Sequence, residues 1–341
     1  MPAITEKRWH PLLEQWVIIS ETSAARPWSG AMANSAENSV PRHDPDCYLC
    51  PRVNRASGVT NPDYQGAFAF DNDFPSLSSD APATTESDEL IRRTSAHGYC
   101  RVLCWSHRHD ATLATVTDHE MIDVAQLWRS EYLRLAKDPR IAQVAIFENK
   151  GVEIGVSNLH PHGQIYATDF VTELATRLRQ SQAKFATDNP DNYLIGALLN
   201  HAHDSKQLIV ESNRYWSVIV PFCARFAYET WIVPHRHVQS IGDLSSPELE
   251  ELALCYQRQT QRYDRLFQRS SPNVTLLHNA PVDQHDDNRH WCFYLAFQPP
   301  LRDPQRMKFL GGFESGSNNI INPLCPENAA DELRSIAVGD I

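Results

Sequence analysis

The chain has 341 residues, of which 42% are hydrophobic, and a net charge of −11 from 31 basic and 42 acidic side chains. That apolar share feeds a packed core and excludes a disordered chain. The acidic balance argues against a dedicated nucleic-acid binder, which needs clustered Lys and Arg, but leaves room for an anionic ligand met by a local group of cations.

In chain order, the N-terminal stretch MPAITEKRWHPLLEQWVIIS has no uninterrupted apolar signal core. Residues 8–20 read as a strand, and 21–46, rich in Ser, Ala, Pro and Asn, as a loop. The polar, acidic residues 76–96 read as a mobile excursion. Strands are expected at Tyr99 to Trp105, Gln143 to Phe147 and Gly163 to Ala167. A helix fits 118–136, with Met121, Ala125, Trp128, Tyr132 and Leu135 on one stripe, and a second fits 172–185. Strands follow at 214–220 and 228–233, a helix at 247–268 opening on Pro247, strands at 273–278 and 291–297, and a last helix at 326–337. The longest apolar run, Trp216 to Pro234, is broken by Pro221, Arg225 and Glu229, so no membrane span is expected. A cytoplasmic protein follows. Its eight cysteines are reduced there, and a Cys-x-x-Cys pair binds metal more readily than it forms a disulfide.

The two halves echo each other. His107-Arg108-His109 matches His235-Arg236-His237, followed at equal spacing by apolar residues (Leu113 and Ile241, Val116 and Leu244), a hydroxyl (Thr117, Ser245) and an acid (Glu120, Glu248). Asn149 and His160 match Asn279 and His290. Ordered self-similarity of this kind marks a duplicated module. The copies part after the last match. His160 is followed by Pro-His-Gly-Gln, a polar alternating face, and His290 by Trp-Cys-Phe-Tyr, a packing face. The first copy is expected to be active and the second degenerate.

Two features carry chemistry. In a strand, His160, His162 and Gln164 share one face, and three polar groups in a row are unusual for a buried sheet. Pro161 suits an edge or an irregular segment. The second feature is Cys47-Tyr48-Leu49-Cys50, which supplies two ligands of a tetrahedral site. His160 and either His109 or His107 are the candidates to complete it.

These residues resemble the galactose-1-phosphate uridylyltransferase family of the histidine-triad superfamily. The resemblance runs over most of the chain, through Trp9 to Ser20, Arg26-Pro27-Trp28, Asp44 to Cys50, Asn61 to Tyr64, Asn72-Asp73-Phe74, Phe147 to Gly151, Ser157 to Gln164, His278 to Pro281, His290-Trp291 and Lys308-Phe309. It implies an α+β fold of two tandem histidine-triad-like modules sharing an extended antiparallel sheet, a half-barrel. The N-terminal module (1–190) would hold a zinc site and the nucleophile, and the C-terminal module (191–341) would be degenerate. It implies uridylyl transfer between UDP-hexose and a hexose 1-phosphate by a ping-pong mechanism, with His162 as nucleophile and Gln164 and Ser157 at the phosphoryl group. Asn149 and Gly155 would meet phosphate oxygens, Asn72 and Asp73 the nucleoside, Arg26 and Lys308 negative charge, and Phe313 and Glu314 the sugar.

The implied zinc ligands are Cys47, Cys50, His109 and His160, which selects His109 over His107. A second metal site of the family maps onto Leu178, His278, Tyr294 and Ala296. Only His278 can bind metal, so that site is expected to be absent. Gly311, Phe313 and Ser23 also depart from the family pattern and leave the sugar open. The implied partners are a UDP-sugar, a sugar 1-phosphate and a second subunit that shares its site. Rival readings are a nucleotide-sugar phosphorylase or a nucleotidyltransferase for a different sugar 1-phosphate, and a non-enzymatic zinc-stabilised nucleotide-binding protein.

Overall fold

The computed structural model describes residues 3–23, 40–82, 84–88 and 90–339. Arg26 lies outside them. The strands are β1 (Thr5–His10), β2 (Gln15–Ser20), β3 (Phe68–Asp71), β4 (Thr85–Ser87), β5 (Arg92–Thr94), β6 (Gly98–Cys104), β7 (Gln143–Lys150), β8 (His162–Thr168), β9 (Ile209–Ser212), β10 (Trp216–Ile219), β11 (Thr230–Pro234), β12 (Asn273–His278), β13 (Tyr294–Gln298) and β14 (Ile321–Asn322). The helices are α1 (Asp118–Leu135), α2 (Glu173–Asp188), α3 (Leu194–Ser205), α4 (Ser246–Phe267), α5 (Gly312–Ser317) and α6 (Pro326–Ser335).

Nine strands form one sheet ordered β3-β6-β8-β7-β12-β13-β11-β10-β9, and every neighbouring pair is antiparallel. The first four in chain order are β3, β6, β7 and β8, and the second set is β10, β11, β12 and β13. Their spatial order is a palindrome about the β7–β12 seam, with one helix, α1 or α4, between the second and third strands of each set. The sequence echo is therefore a duplicated α+β unit joined edge to edge. Joining hides the β7 and β12 edges from other chains.

The matched hydroxyl and acid residues are helix starts. Thr117 and Glu120 form a reciprocal capping box at α1, and Ser245 and Glu248 form its counterpart at α4. The apolar stripe of α1 (Met121, Val124, Ala125, Trp128, Tyr132, Leu135) is buried. It packs with Leu252, Tyr256 and Tyr263 of α4 and with Leu103, Ile146, Ile165, Ile232, Leu277 and Leu295 of the sheet in one core. Truncating a residue such as Trp128 costs about 3–5 kcal/mol.

The opposite sheet face is treated differently in the two halves. In the second, Ile219, Trp231, Val233, Tyr294 and Ala296 are covered by Leu178 of α2, Leu194, Ile195 and Leu199 of α3, and Leu12 and Leu13. In the first, among the described residues, Phe70, Val102 and Cys104 cluster with the segment bearing Cys47, Leu49, Cys50 and Tyr64, and His162 and Gln164 line a cleft on that face.

Several expectations are corrected. Residues 8–20 are a hairpin rather than one strand, turning at Glu14 with φ 47°. Leu12 and Leu13 in that turn are buried against α2 and α3, so an apolar turn imitates strand continuity. The 76–96 excursion carries a two-stranded ladder, β4–β5. The N-cap of α3, Tyr193, makes no side-chain capping bond, so the helix lacks the start signal that marks α1. Strand β8 lies between β6 and β7 and is no edge; Pro161 precedes it and its carbonyl accepts Trp105 N–H at 2.9 Å. Asn149 and Asn279 do different work. Asn149 sits within β7, whereas Asn279 is buried past the end of β12 and accepts Ile241 N–H at 2.9 Å.

Glu248 also pairs with Arg236, which with the Ser245 bonds holds its carboxyl down at about 2. A depressed folded value stabilises above the unfolded carboxylate range and is lost as pH falls through the folded value. Glu248→Gln is expected to cost about 1–2 kcal/mol at pH 7. In urea unfolding the gap from the parent should close between about pH 4.3 and pH 2; a gap independent of pH would refute this account.

Candidate active site

The Cys47–Cys50 segment is a tight turn, with Cys50 N–H bonded to Cys47 O at 3.0 Å. The Asn61 amide donates to the carbonyls of Tyr48 and Cys50 at 2.9 and 3.0 Å and fixes the turn from behind. His109 follows β6 and His160 precedes β8. The four ligating atoms of Cys47, Cys50, His109 and His160 lie within 4.8 Å of one another, and all four residues are buried. His107 is not in this group.

The spacing fits a tetrahedral metal ion. Metal–sulfur bonds of about 2.3 Å and metal–nitrogen bonds of about 2.0–2.1 Å place S and N about 3.6 Å apart. Cys50 Sγ is 3.6 Å from His109 Nδ1 and 3.5 Å from His160 Nδ1. The far nitrogen of His160, Nε2, donates to Ser106 O at 2.9 Å, the second contact that fixes a ligating imidazole. Burial pushes the Cys50 thiol up to about 12 and His160 down to about 3. A cation would make the thiolate favourable where burial alone opposes it.

His160 also sets His162. Its carbonyl lies 2.7 Å from His162 Nδ1. A carbonyl only accepts, so Nδ1 carries the proton and Nε2 carries the lone pair. Burial holds the His162 pKa below its ordinary value, so the ring is neutral at pH 7. The next residue has to be glycine, because a Cβ at Gly163 would sit 2.2 Å from the Trp105 ring.

In front of His162 is a cleft of about 270 Å³. Its polar lining is Tyr48, Asn72, Asp73, Ser157, His162 and Gln164, over an apolar floor that includes Leu49, Phe70 and Val102. The sheet register explains the grouping: His162 pairs with Cys104, Gln164 with Val102, and Val102 with Phe70, so these side chains share the open face. Phe147 pairs with Gln164, and continuing that register sets Asn149 across from His162. Gly155, at φ 85°, ends the short turn before Ser157. A larger cavity of about 340 Å³, between the start of α1 and α4, has no histidine or cysteine in its lining.

Lys308, Phe313 and Glu314 do not line the cleft. Lys308 Nζ bonds Glu314 Oε1 at 2.5 Å, and Glu314 also accepts the N–H groups of Gly311 and Ile321. Phe70, Val102 and Phe74 also line the cleft and are not among the residues expected there. The first two look like ordinary strand core, and the signal for Phe74 was its place after Asn72-Asp73. The four positions at which the resemblance implies a second metal lie close together in a packed region. His278 stacks on Tyr294 at 4.2 Å, and Leu178, Tyr294 and Ala296 lie in one core. At the place of His162, Cys292 is fully buried, and its N–H donates to Gln182 of α2.

A doubled antiparallel sheet with a neutral histidine beside a cleft of the first half, next to a Cys2His2 cluster, defines a two-module α+β protein. The chain belongs to the galactose-1-phosphate uridyl transferase family. The family's N-terminal domain matches residues 2–172 and its C-terminal domain residues 178–340. The galactose-1-phosphate uridylyltransferase of Haemophilus influenzae is 35% identical over 333 residues, covering 97% of this chain and 94% of its own. That of Rattus norvegicus is 36% identical over 334 residues, covering 96% and 86%. Among solved structures, an ADP-glucose phosphorylase from Arabidopsis thaliana with bound ADP-glucose superposes with a TM-score of 0.79 at 20% identity, over 98% of this chain and 100% of that one. A uridylyltransferase gives 0.78 at 20% identity, over 97% and 98%. Both show the shared fold.

Cobalt(II) added to chelator-treated protein is expected to give the visible bands of a tetrahedral, sulfur-bound ion. Cys50→Ser should abolish them; an octahedral spectrum, or bands that survive the substitution, would refute the ligand set.

Proposed function

We propose that the chain transfers a uridylyl group between UDP-glucose and galactose 1-phosphate, giving glucose 1-phosphate and UDP-galactose, through a covalent intermediate on His162. The observation that carries this reading is the neutral His162 ring, its proton held on Nδ1 by the His160 carbonyl and its Nε2 lone pair left for attack. A covalent intermediate divides one hard displacement into two easier ones. The names of the relatives at 35% and 36% identity support the substrates.

The steps balance without an external acid. Nε2 forms a bond to the α-phosphorus of the UDP-sugar. The bridging P–O bond breaks, and the sugar 1-phosphate leaves with the electron pair. Positive charge develops on the imidazole while its Nδ1–H stays bonded to the His160 carbonyl. The phosphate of the incoming sugar 1-phosphate then attacks the same phosphorus, the N–P bond breaks, and the neutral ring returns. Gln164 and Ser157 donate to the phosphoryl oxygens, and Asn149 and Gly155 lie along the same path. Gln164 cannot protonate a leaving group, and a departing phosphate does not need it to. Asn72 and Asp73 accept from the nucleoside over the floor of Phe70 and Val102.

We assign one structural zinc to Cys47, Cys50, His109 and His160, supported by the S···N spacing. The metal would hold the His160 ring, and so the carbonyl that sets His162; no bond of the substrate is made to it. The reading also takes a homodimer in which Lys308, Phe313 and Glu314 of one subunit complete the cleft of the other. Phe309 and Phe313 are each 57% exposed and Leu310 49%, an apolar segment suited to burial against a second copy.

Two experiments test this. UDP-glucose labelled at the α-phosphate is expected to leave an acid-labile, base-stable label on His162 after quenching. His162→Gly should take no label and lose transfer by on the order of 10⁴-fold or more; full exchange by that variant refutes the mechanism. Mixing His162→Gly dimers with Lys308→Ala dimers, each nearly inactive, should regain activity as subunits exchange. No recovery after verified exchange refutes the shared site.

A further inference from the structure

The turn that follows the Cys47–Cys50 loop carries a cation that reaches the cleft through other residues. Residues 54–60 form a miniature hairpin: Asn54 bridges Thr60, Arg55 N–H bonds Val59 O at 2.9 Å, and Gly58, at φ 82°, makes the bend. Asn61 ties its base to the metal loop. The Arg55 side chain is only 12% exposed. Its guanidinium lies over the Phe70 ring at 4.4 Å, donates to Asp71 O at 3.3 Å and stands 3.7 Å from Asp73 Oδ1. The other oxygen, Asp73 Oδ2, accepts Ser57 N–H at 3.3 Å from the same hairpin. Phe70 and Asp73 line the cleft, and Arg55 does not.

Without these contacts the Asp73 carboxylate could rotate, and the Phe70 ring would lose what packs behind it. A largely buried arginine on an aromatic face and a carboxylate gives both a fixed geometry, because the planar fork and the ring match. We propose that Arg55 is a positioning residue for the nucleoside end of the cleft, holding Asp73 and Phe70 in the arrangement that binds the nucleotide and leaving the transfer step at His162 unchanged. This rests on the uridylyl-transfer reading.

The test uses the full-length, metal-loaded protein and two readouts. Binding of UMP, measured by calorimetry, needs no chemistry. Steady-state transfer from UDP-glucose separates KM from kcat. Arg55→Gln is expected to weaken UMP and raise KM for UDP-glucose by about 10-fold, the size of one lost charge-assisted contact, with kcat within about threefold of the parent. Arg55→Lys restores charge but not the flat fork and should fall between Arg55→Gln and the parent. The proposal is overturned if Arg55→Gln binds UMP like the parent, if kcat falls while KM holds, or if Arg55→Lys is no better than Arg55→Gln. Should Arg55→Gln lower the unfolding temperature enough to cloud its kinetics, Arg55→Lys decides: parental UMP affinity overturns the proposal, and a few-fold loss supports it. If the parent itself binds no UMP and takes no label on His162, the reading beneath the proposal fails. A parent that does both, beside an unaltered Arg55→Gln, sinks the Arg55 role alone.

Discussion

The 2.7 Å bond from His162 Nδ1 to the His160 carbonyl is the contact around which the first module is arranged. It fixes the tautomer and the ring plane together. Its acceptor belongs to a residue whose side chain joins the Cys2His2 cluster and whose far nitrogen is held by Ser106. One residue thus links the metal loop, the segment after β6 and the start of β8. Each link removes a degree of freedom from the imidazole. The neighbouring geometry follows from the same demand: Pro161 keeps the chain out of the ladder before His162, and its carbonyl takes Trp105 N–H. Trp105 then lies so close under the strand that position 163 has no room for a side chain.

The duplication shows what that arrangement costs. Both modules present the same face of one sheet, and the second fills it. Tyr294 and Ala296 pack under α2 and α3, and Gln182 satisfies Cys292 N–H. The first module leaves His162, Gln164, Asn72 and Asp73 facing a cleft. Polar groups on a sheet face gain nothing from burial, and their satisfaction waits on a ligand. The chain offsets this loss elsewhere. The shared core of α1, α4 and both halves of the sheet is one unbroken cluster, so the open face of one module rests on the packing of two.

Much of this was legible in the sequence, for identifiable reasons. The capping residues Thr117, Glu120, Ser245 and Glu248 act locally, and both long helices begin where those residues say. The period-two alternation of His160, His162 and Gln164 is a backbone property and predicts their common face. What escaped was set by contacts between distant segments. The Pro11–Glu14 turn looks apolar because it docks on α2 and α3. Phe70 and Val102 look like core because only the missing cover distinguishes a cleft floor from a core. Asn149 and Asn279 match in sequence but occupy different places, since one lies within a strand and the other past a strand end.

The charge balance sharpens the case for association. A UDP-sugar brings two phosphate charges to a protein of net charge −11. Among the described residues, the polar lining of the cleft is Tyr48, His162, Gln164, Ser157, Asn72 and Asp73, with no lysine or arginine, and His162 is neutral. Amide and hydroxyl donors orient a pyrophosphate, yet they do not neutralise it in a partly desolvated cleft, where unpaired charge is expensive. Arg55 sits behind Phe70 and is already engaged with Asp73. Lys308 is held by Glu314 beside an exposed apolar segment, away from the cleft of its own chain. A second copy burying that segment would remove apolar surface from water and bring a cation to the phosphates in the same step. In the homodimer proposed above, subunit association and substrate neutralisation would be served by one contact, and the net acidity of the chain is no obstacle to an anionic substrate.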